Sequence, residues 1–78
     1  MITIKLFGIT REIVGQPILE INEPIESVGK LKEFMMSTYP QIKALNSLLI
    51  AVNSEYAEDT IGLKATDEIA LIPPVSGG

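Results

Sequence analysis

The sequence has no cysteine and no histidine, and its 78 residues include no tryptophan and only two tyrosines and two phenylalanines. Without cysteine there is no disulfide and no thiolate to act as a nucleophile or metal ligand. Without histidine the chain lacks the usual general base and the metal ligand that proteins use most often. These absences exclude most catalytic and metal-binding arrangements built from side chains.

Basic residues are also few, with six lysines and arginines against ten acids and a formal net charge of -4. A nucleic-acid binder needs a basic face to displace counterions from phosphates, and anionic lipid attracts the same charge. A basic partner protein suits the chain better. No apolar run approaches the ~20 residues of a membrane span, and Lys5 interrupts the first one. We therefore predict a cytoplasmic protein that binds neither nucleic acid nor membrane.

The first half of the chain predicts two strands and one helix within a single domain. Alternation over residues 2–8 places Ile2, Ile4 and Leu6 on the core side of a strand and Phe7 on the other side. Residues 9–17 read as a loop ended by turn formers, and residues 18–22 as a second strand. A helix then begins after Ser27 as N-cap and stops before Pro40. Its predicted inward face consists of Val28, Leu31, Phe34, Met35 and Thr38.

The second half predicts the remaining strands. Residues 41–47 are ambiguous and could form a single turn, whereas "LLIAVN" (48–53) reads as a strand buried on both faces. Residues 54–68 are polar and irregular, with room for a short strand around 55–57, and residues 68–74 form the last strand. This order predicts an α+β, β-grasp (ubiquitin-like) fold, in which one main helix crosses a mixed sheet of four or five strands. The predicted domain spans residues 1–74, and residues 75–78 form a flexible tail.

The side chains offer no catalytic constellation. Two adjacent acid pairs, Glu58–Asp59 and Asp67–Glu68, are interpreted as solvated turn acids, because metal sites draw ligands from several positions. We therefore predict no metal site. The "GITREIVG" segment lacks the spacing of a phosphate-binding loop. The terminal carboxylate is the reactive group that remains.

The ending "IPPVSGG" suits delivery of that carboxylate. Two prolines fix the backbone direction, and two glycines can pass a channel too narrow for any Cβ. From Val75 onward the chain can reach roughly 13 Å at the extended rise per residue. The pattern predicts that the Gly78 carboxylate enters the active site of another protein. The residues predicted to thread that channel are Pro73, Pro74, Val75, Ser76 and Gly77.

Three segments together resemble a known family. "ITIKLFG" followed by "TREIVG", the central "LLIAVN", and above all "DEIALIPPVSGG" resemble the MoaD/ThiS family of ubiquitin-like proteins, in its molybdopterin synthase small-subunit branch. The resemblance runs from end to end. It departs at Thr66, where related chains more often carry glycine before the acids.

The resemblance implies a sulfur carrier. A ubiquitin-activating-type enzyme would use ATP to adenylate Gly78, and a sulfurtransferase system would convert the adenylate to a thiocarboxylate. The loaded tail would enter the large catalytic subunit of molybdopterin synthase, in a heterotetramer of two small and two large subunits. There its sulfur would build the molybdopterin dithiolene. The resemblance implies that this chain binds no cofactor itself and carries sulfur only as the C-terminal thiocarboxylate.

A partner interface is expected beside the tail. Phe7 and Ile72 fall on the sheet face without a helix, and with Val75 they would form an exposed apolar patch that Tyr56 could join. Arg11 resembles an arginine of the family and would contact a partner acid. The alternatives are a minor second core under the first loop and a solvated loop charge at Arg11.

Other functions remain open on the sequence. Sulfur carriers for thiamin thiazole, tRNA thiolation or cysteine synthesis share the same fold and tail chemistry. A ubiquitin-like modifier joined to lysines also needs adenylation, so the tail alone does not separate it from a sulfur carrier. A plain β-grasp binding module with an incidental tail is the third class.

Overall fold

A computed structural model describes residues 1–45 and 48–73. Its elements are, in chain order, β1 (Ile2–Leu6), α1 (Gly8–Val14), β2 (Ile18–Ile21), α2 (Val28–Thr38), α3 (Pro40–Lys43), β3 (Leu49–Val52), β4 (Glu55–Tyr56) and β5 (Ile69–Ile72). The five strands form one sheet in the order β2-β1-β5-β3-β4. β1 and β5 run parallel at its centre, and the other pairs are antiparallel. This mixed sheet with a long helix on one face is the predicted β-grasp fold.

The core lies between α2 and one face of the sheet. Alternate residues of β1, β3 and β5 point toward α2, because successive side chains of a strand point to opposite faces. The apolar positions of α2 at helical spacing meet them from the other side. The buried residues contributed by these four elements are Ile2, Ile4, Leu6, Val28, Leu31, Met35, Ile50, Ile69 and Leu71. The predicted inward positions of β1 are confirmed, whereas Phe34 is only half-buried.

Thr38 does not face the core as predicted and is exposed. It is the last residue of α2, where the chain turns away from the sheet toward α3. The predicted stop at Pro40 is confirmed, since α2 ends before it. Pro40 is the first residue of α3. Proline is favourable there, because a backbone N–H at the first position of a helix has no partner within the helix. The ambiguous 41–47 segment begins within this short helix, and Asn46 and Ser47 lie outside the described residues.

The N-terminus of α2 is closed by the loop of residues 58–63. Ser27 is the predicted N-cap, and its Oγ accepts a hydrogen bond from the Lys30 amide at 3.3 Å. The Val28 amide donates to the Ile61 carbonyl, and the Gly29 amide to the Asp59 carbonyl, each at 2.9 Å. All three leading amides of the helix are therefore satisfied within the chain.

The predicted loop over residues 9–17 is wrong in its first part, because residues 8–14 form α1. Gly15 ends this helix in the left-handed conformation, with φ of 88°, and its amide donates to the Arg11 carbonyl at 2.9 Å. Ile13 and Val14 pack against the core from this helix. A seven-residue helix carries only two turns of periodicity, and the flanking glycines masked that pattern.

β3 is not buried on both faces as predicted. Ile50 is buried against α2, but Leu49 on the opposite face has 46% of its surface exposed. The apolar run therefore reflects two different environments, a core on one face and an open apolar surface on the other. Among the described residues no helix is both long and apolar enough to cross a membrane.

Candidate functional site

The sheet face opposite α2 is called the open face, and strand register arranges its side chains in three rows. Residues paired across strands point to the same side, so each row follows from the pairing. The rows differ sharply in character: the row nearest the end of β5 is apolar, the middle row is mixed, and the far row is polar and acidic. The open face therefore has a chemical polarity along the strands.

The first row lies where β5 ends. Ile72 pairs with Leu49 on β3 and is half-buried, while Leu49 is 46% exposed. Phe7 follows β1 in extended conformation, with φ of -133° and ψ of 152°, so it continues the alternation of that strand onto the open face. Its side chain is 47% exposed. Phe7, Ile72 and Leu49 form an apolar row that we call the exit row.

The middle row crosses all five strands. Pairing places Ile18, Lys5, Ala70, Ala51 and Tyr56 side by side from β2 to β4. Its two ends are exposed apolar or aromatic groups, since Ile18 is 48% and Tyr56 is 71% exposed. Between them the two alanines leave a shallow, flat centre. Tyr56 thus joins the open face at the β4 edge, paired with Ala51.

The far row is acidic. Glu20 pairs with Thr3 at one end, and Glu68 forms an ion pair with Lys5 of the middle row. The hydrogen bond and charge of Lys5 lower the pKa of the Glu68 carboxyl. That side chain is 60% exposed, so the ion pair fixes geometry more than it stabilises the fold.

Asn53 ties this acidic end to the start of β5. It lies at the β3–β4 turn with φ of 53°, a left-handed conformation that asparagine tolerates. Its amide Nδ2 donates to Asp67 Oδ1 at 3.1 Å, and its Oδ1 accepts from the Glu68 amide at 2.9 Å. The β3–β4 turn is thereby joined to the segment immediately before β5.

Asp67 closes the turn that precedes β5. Its Oδ2 accepts from the Lys64 amide at 2.8 Å, and its own amide donates back to the Lys64 carbonyl at 3.0 Å. The hydrogen bond from the Lys64 amide to the carboxylate, together with that from Asn53, lowers the pKa of the Asp67 carboxyl. Thr66 therefore lies within a turn that the Asp67 carboxylate closes.

Three of the four acids in the predicted pairs have side-chain partners. Asp59 forms an ion pair of 2.8 Å with Lys32, while Asp67 and Glu68 are engaged as described above. Across residues 1–45 and 48–73, no group of three or more acidic side chains is arranged to hold a metal ion. Asp59, Asp67 and Glu68 therefore each contact another part of a turn, a loop or a neighbouring element.

The chain leaves the sheet at Pro73, beside the exit row. A Cβ added to Gly8 would lie 3.1 Å from Pro73 Cγ, so the proline ring rests directly on the glycine backbone. Gly8 begins α1, which places Arg11 one turn further along the same helix. Arg11 is exposed, and no carboxylate in the described part of the chain lies within ion-pair distance of it.

Sequence reasoning identified Phe7, Ile72, Tyr56 and Arg11, and the structure places Phe7 and Ile72 together. It missed Leu49, because the apolar run "LLIAVN" concealed which side chain faces outward. It also missed Ile18 at the open end of β2. The pairing register of the strands identifies both residues, because Leu49 pairs with Ile72 and Ile18 pairs with Lys5 on the open face.

Thr10 was missed as well. It is fully buried, and its Oγ1 donates to the Phe7 carbonyl at 2.6 Å and accepts from the Phe7 amide at 3.2 Å. Thr10 thus fixes the backbone of an exit-row residue. A threonine three residues after Phe7, at the N3 position of a short helix, was the available signal.

The tail predictions concern residues beyond this geometry. Pro73 is described, but Pro74, Val75, Ser76, Gly77 and Gly78 lie outside the described residues. Their threading role, the place of Val75 in the patch and the boundary at residue 74 remain predictions.

Comparison with known proteins bears on the family and the fold. The ThiS family model matches residues 4–78. A molybdopterin synthase sulfur carrier subunit of Dictyostelium discoideum is 39% identical, over 96% of this chain and 93% of the relative. The subunit of the same name from Arabidopsis thaliana is 34% identical, over 99% and 82% respectively. The solution structure of small archaeal modifier protein 1 from Methanosarcina acetivorans superposes with a TM-score of 0.76 at 29% identity, over 99% of this chain and 95% of that one. The chain therefore belongs to the ThiS family.

Proposed function

We propose that this chain is the sulfur-carrier small subunit of molybdopterin synthase. The Gly78 carboxylate is adenylated with release of pyrophosphate, and sulfide-level sulfur supplied by a sulfurtransferase system displaces AMP to give a thiocarboxylate. That sulfur then passes to a pterin precursor to build the dithiolene, and water cleaves the acyl–sulfur bond to restore the Gly78 carboxylate. Full-length similarity to subunits of that name supports the proposal. The observation that carries it in the structure is the apolar exit row, which lies immediately beside the point where the chain leaves the sheet.

The proposal assigns the catalytic side chains to partner proteins. A carboxylate is a poor electrophile, and adenylation gives it a good leaving group. Once sulfur is held as a thiocarboxylate on a docked carrier, its reaction becomes effectively intramolecular. The carrier then has two tasks, to dock in one orientation and to present its terminus. ATP belongs to the adenylating enzyme and the pterin to the large subunit.

Docking is assigned to the open face. Phe7, Leu49 and Ile72 supply an apolar centre of the kind that partner interfaces bury, and Tyr56 supplies an aromatic anchor at the edge. The acidic far row calls for a partner whose apolar pocket is bordered by basic groups. Arg11, on α1 beside the exit, is placed to contact a partner acid. These residues form the proposed interface with the large subunit, in a heterotetramer working in the cytoplasm.

Two exposed apolar residues of nearly equal exposure test the docking surface. Leu49 is 46% exposed on the open face, and Ile61 is 44% exposed in the loop that covers the N-terminus of α2. We expect Leu49→Asp to weaken binding to a molybdopterin synthase large subunit by at least about tenfold, as a truncated hot spot does. Ile61→Asp should stay within about twofold of the unmodified chain. Calorimetric titration measures both affinities, and equal losses in the two variants would contradict the assignment.

Sulfur transfer tests the function itself. Carrier bearing a C-terminal thiocarboxylate, mixed with the large subunit and the pterin precursor, should yield molybdopterin, and carrier lacking Gly78 should yield none. Molybdopterin formed equally by the truncated carrier would refute the role of the tail. Binding to the large subunit without any sulfur transfer would refute the proposed reaction.

A ubiquitin-like modifier is the second candidate, favoured by the similarity to small archaeal modifier protein 1. Both functions begin with adenylation, and they diverge at the acceptor. A modifier forms isopeptide bonds between Gly78 and lysine side chains, whereas a sulfur carrier is released with its carboxylate regenerated. Peptide mapping of proteins from the native host separates the two, because a modifier leaves a branched peptide on lysines. Trypsin cleaves after Lys64, so the peptide that remains attached to the lysine would be residues 65–78.

A further inference from the structure

The start of α1 and the end of β5 meet at one contact. Gly8 has φ of +55°, in the left-handed region that side chains rarely adopt, and its Cα faces the ring of Pro73. A Cβ at this position would approach Pro73 Cγ to 3.1 Å, closer than ordinary van der Waals contact. Position 8 therefore disfavours a side chain for two independent reasons, one in its own backbone and one in its neighbour.

The other side of this contact is the last described residue before the tail. β5 pairs with β1 up to Leu71 and with β3 up to Ile72, so strand pairing fixes the chain only to that point. The proline ring fixes φ of Pro73. Ile72 and Pro73 each precede a proline in the sequence and therefore favour an extended ψ, but a range of about 40° in ψ remains open to each of them. The packing of the ring on Gly8 supplies a constraint at the point where strand pairing ends.

The Gly8 side of the contact is rigidly held. Thr10 is fully buried and bonds both backbone groups of Phe7, the residue before Gly8. The Leu6 amide donates to the Pro17 carbonyl at 2.8 Å, which ties the end of β1 to the segment after α1. Gly8 thus lies in a segment that hydrogen bonds fix on both sides. Its backbone is therefore a fixed surface against which the Pro73 ring packs, and we call this surface the seat.

We propose that Gly8 is a positioning residue for sulfur delivery, whose bare backbone seats the Pro73 ring and so sets the direction in which the chain leaves the domain. The proposal rests on the proposed function for its consequence, because delivery of a terminal carboxylate depends on where the chain points. A misplacement of about 1 Å can cost 10²-fold in rate when reacting groups must align. A side chain at position 8 would push the ring aside and redirect the exit.

Gly15 provides the matched control. It also has a left-handed backbone, with φ of +88°, but a Cβ there would meet nothing within 4 Å. Gly15→Ala therefore suffers the same type of backbone strain as Gly8→Ala without displacing the proline ring. Pro73→Ala removes the contact from the other side and adds no strain at position 8, so it serves if Gly8→Ala folds poorly.

The first measurement reads the exit direction without reference to activity. The chain has no cysteine, so Ser76→Cys accepts a single spin label, and paramagnetic broadening of backbone amides maps where that label lies against the domain. We expect Gly8→Ala and Pro73→Ala to change the broadening pattern and Gly15→Ala to preserve it. The same pattern in all four proteins would overturn the proposal, whatever their activities.

The second measurement is sulfur transfer by thiocarboxylated carrier to the large subunit. We expect Gly8→Ala to lower kcat by about tenfold or more with KM within about twofold, and Gly15→Ala to change neither by more than about twofold. The losses from Gly8→Ala and Pro73→Ala should be non-additive, because both remove one contact. Equal losses in the two glycine variants, or strict additivity with Pro73→Ala, would overturn the positioning role. If unmodified carrier transfers no sulfur while the broadening patterns differ as expected, the proposed function fails and the seat for the exit direction stands.

Discussion

Thr10 gives the sharpest stability prediction, because it is fully buried and its hydroxyl serves both backbone groups of Phe7. Thr10→Val keeps the shape of the side chain and removes the hydroxyl. Two hydrogen bonds are lost at about 1 kcal/mol each, and the Phe7 carbonyl keeps a partner in the Thr10 amide at 3.2 Å. We therefore expect a loss of about 2 kcal/mol. A chain of 78 residues has a total of between about 4 and 12 kcal/mol, so the melting temperature should fall by about 10 °C.

Thr10→Ser is the matched control for that substitution. It keeps the hydroxyl and loses one buried methyl group, which costs about 1 kcal/mol. Urea denaturation followed by circular dichroism gives the free energy of unfolding of all three proteins. Thr10→Val should be the less stable of the two variants and should also bind the large subunit more weakly, since Phe7 belongs to the exit row. A Thr10→Val protein as stable as Thr10→Ser would refute the reasoning.

Two further predictions concern the turns. The pKa of Asp67 is lowered in the folded chain by hydrogen bonds from the Lys64 amide and Asn53. Its stabilisation is therefore fully present above the ordinary aspartate pKa of about 3.9 and is lost as pH falls through the folded value. Asp67→Asn should flatten the decline of urea midpoints between about pH 5 and pH 2, and an unchanged slope would contradict this. Gly29→Ala should gain about 1 kcal/mol of helix propensity. Yet its Cβ would lie 3.2 Å from both Cβ and O of Asp59, the carbonyl that accepts the Gly29 amide. We expect a net loss of about 1 kcal/mol in thermal unfolding, and a net gain would contradict this contact.

The fold could be predicted because its main elements carry strong local signals. The structure confirms three of these signals. The alternation of Ile2, Ile4 and Leu6 predicted the buried face of β1, and Ser27 and Pro40 predicted where α2 begins and ends. α1 could not be predicted in the same way, because its capping group is Thr10 and its helix covers only seven residues. Its formation depends on burial of Thr10 in the finished domain, which local sequence does not show.

The candidate site could be predicted only in part. Phe7 and Ile72 follow from strand alternation, and the structure places both in the exit row. Leu49 needed the pairing register of β3 with β5, and the Gly8–Pro73 contact joins residues from opposite ends of the chain. Contacts of that kind are set by topology, and no periodicity within one segment reveals them.

The central claim is that the working group of this protein is the Gly78 carboxylate, and the mass of the intact chain tests it most directly. Protein isolated from its native host under non-reducing, thiol-free conditions should contain a fraction in which one oxygen is replaced by sulfur. Fragmentation should place that sulfur on Gly78. A native population that carries only the carboxylate, including when a ubiquitin-activating-type enzyme, ATP and a sulfur donor are supplied, would contradict the account.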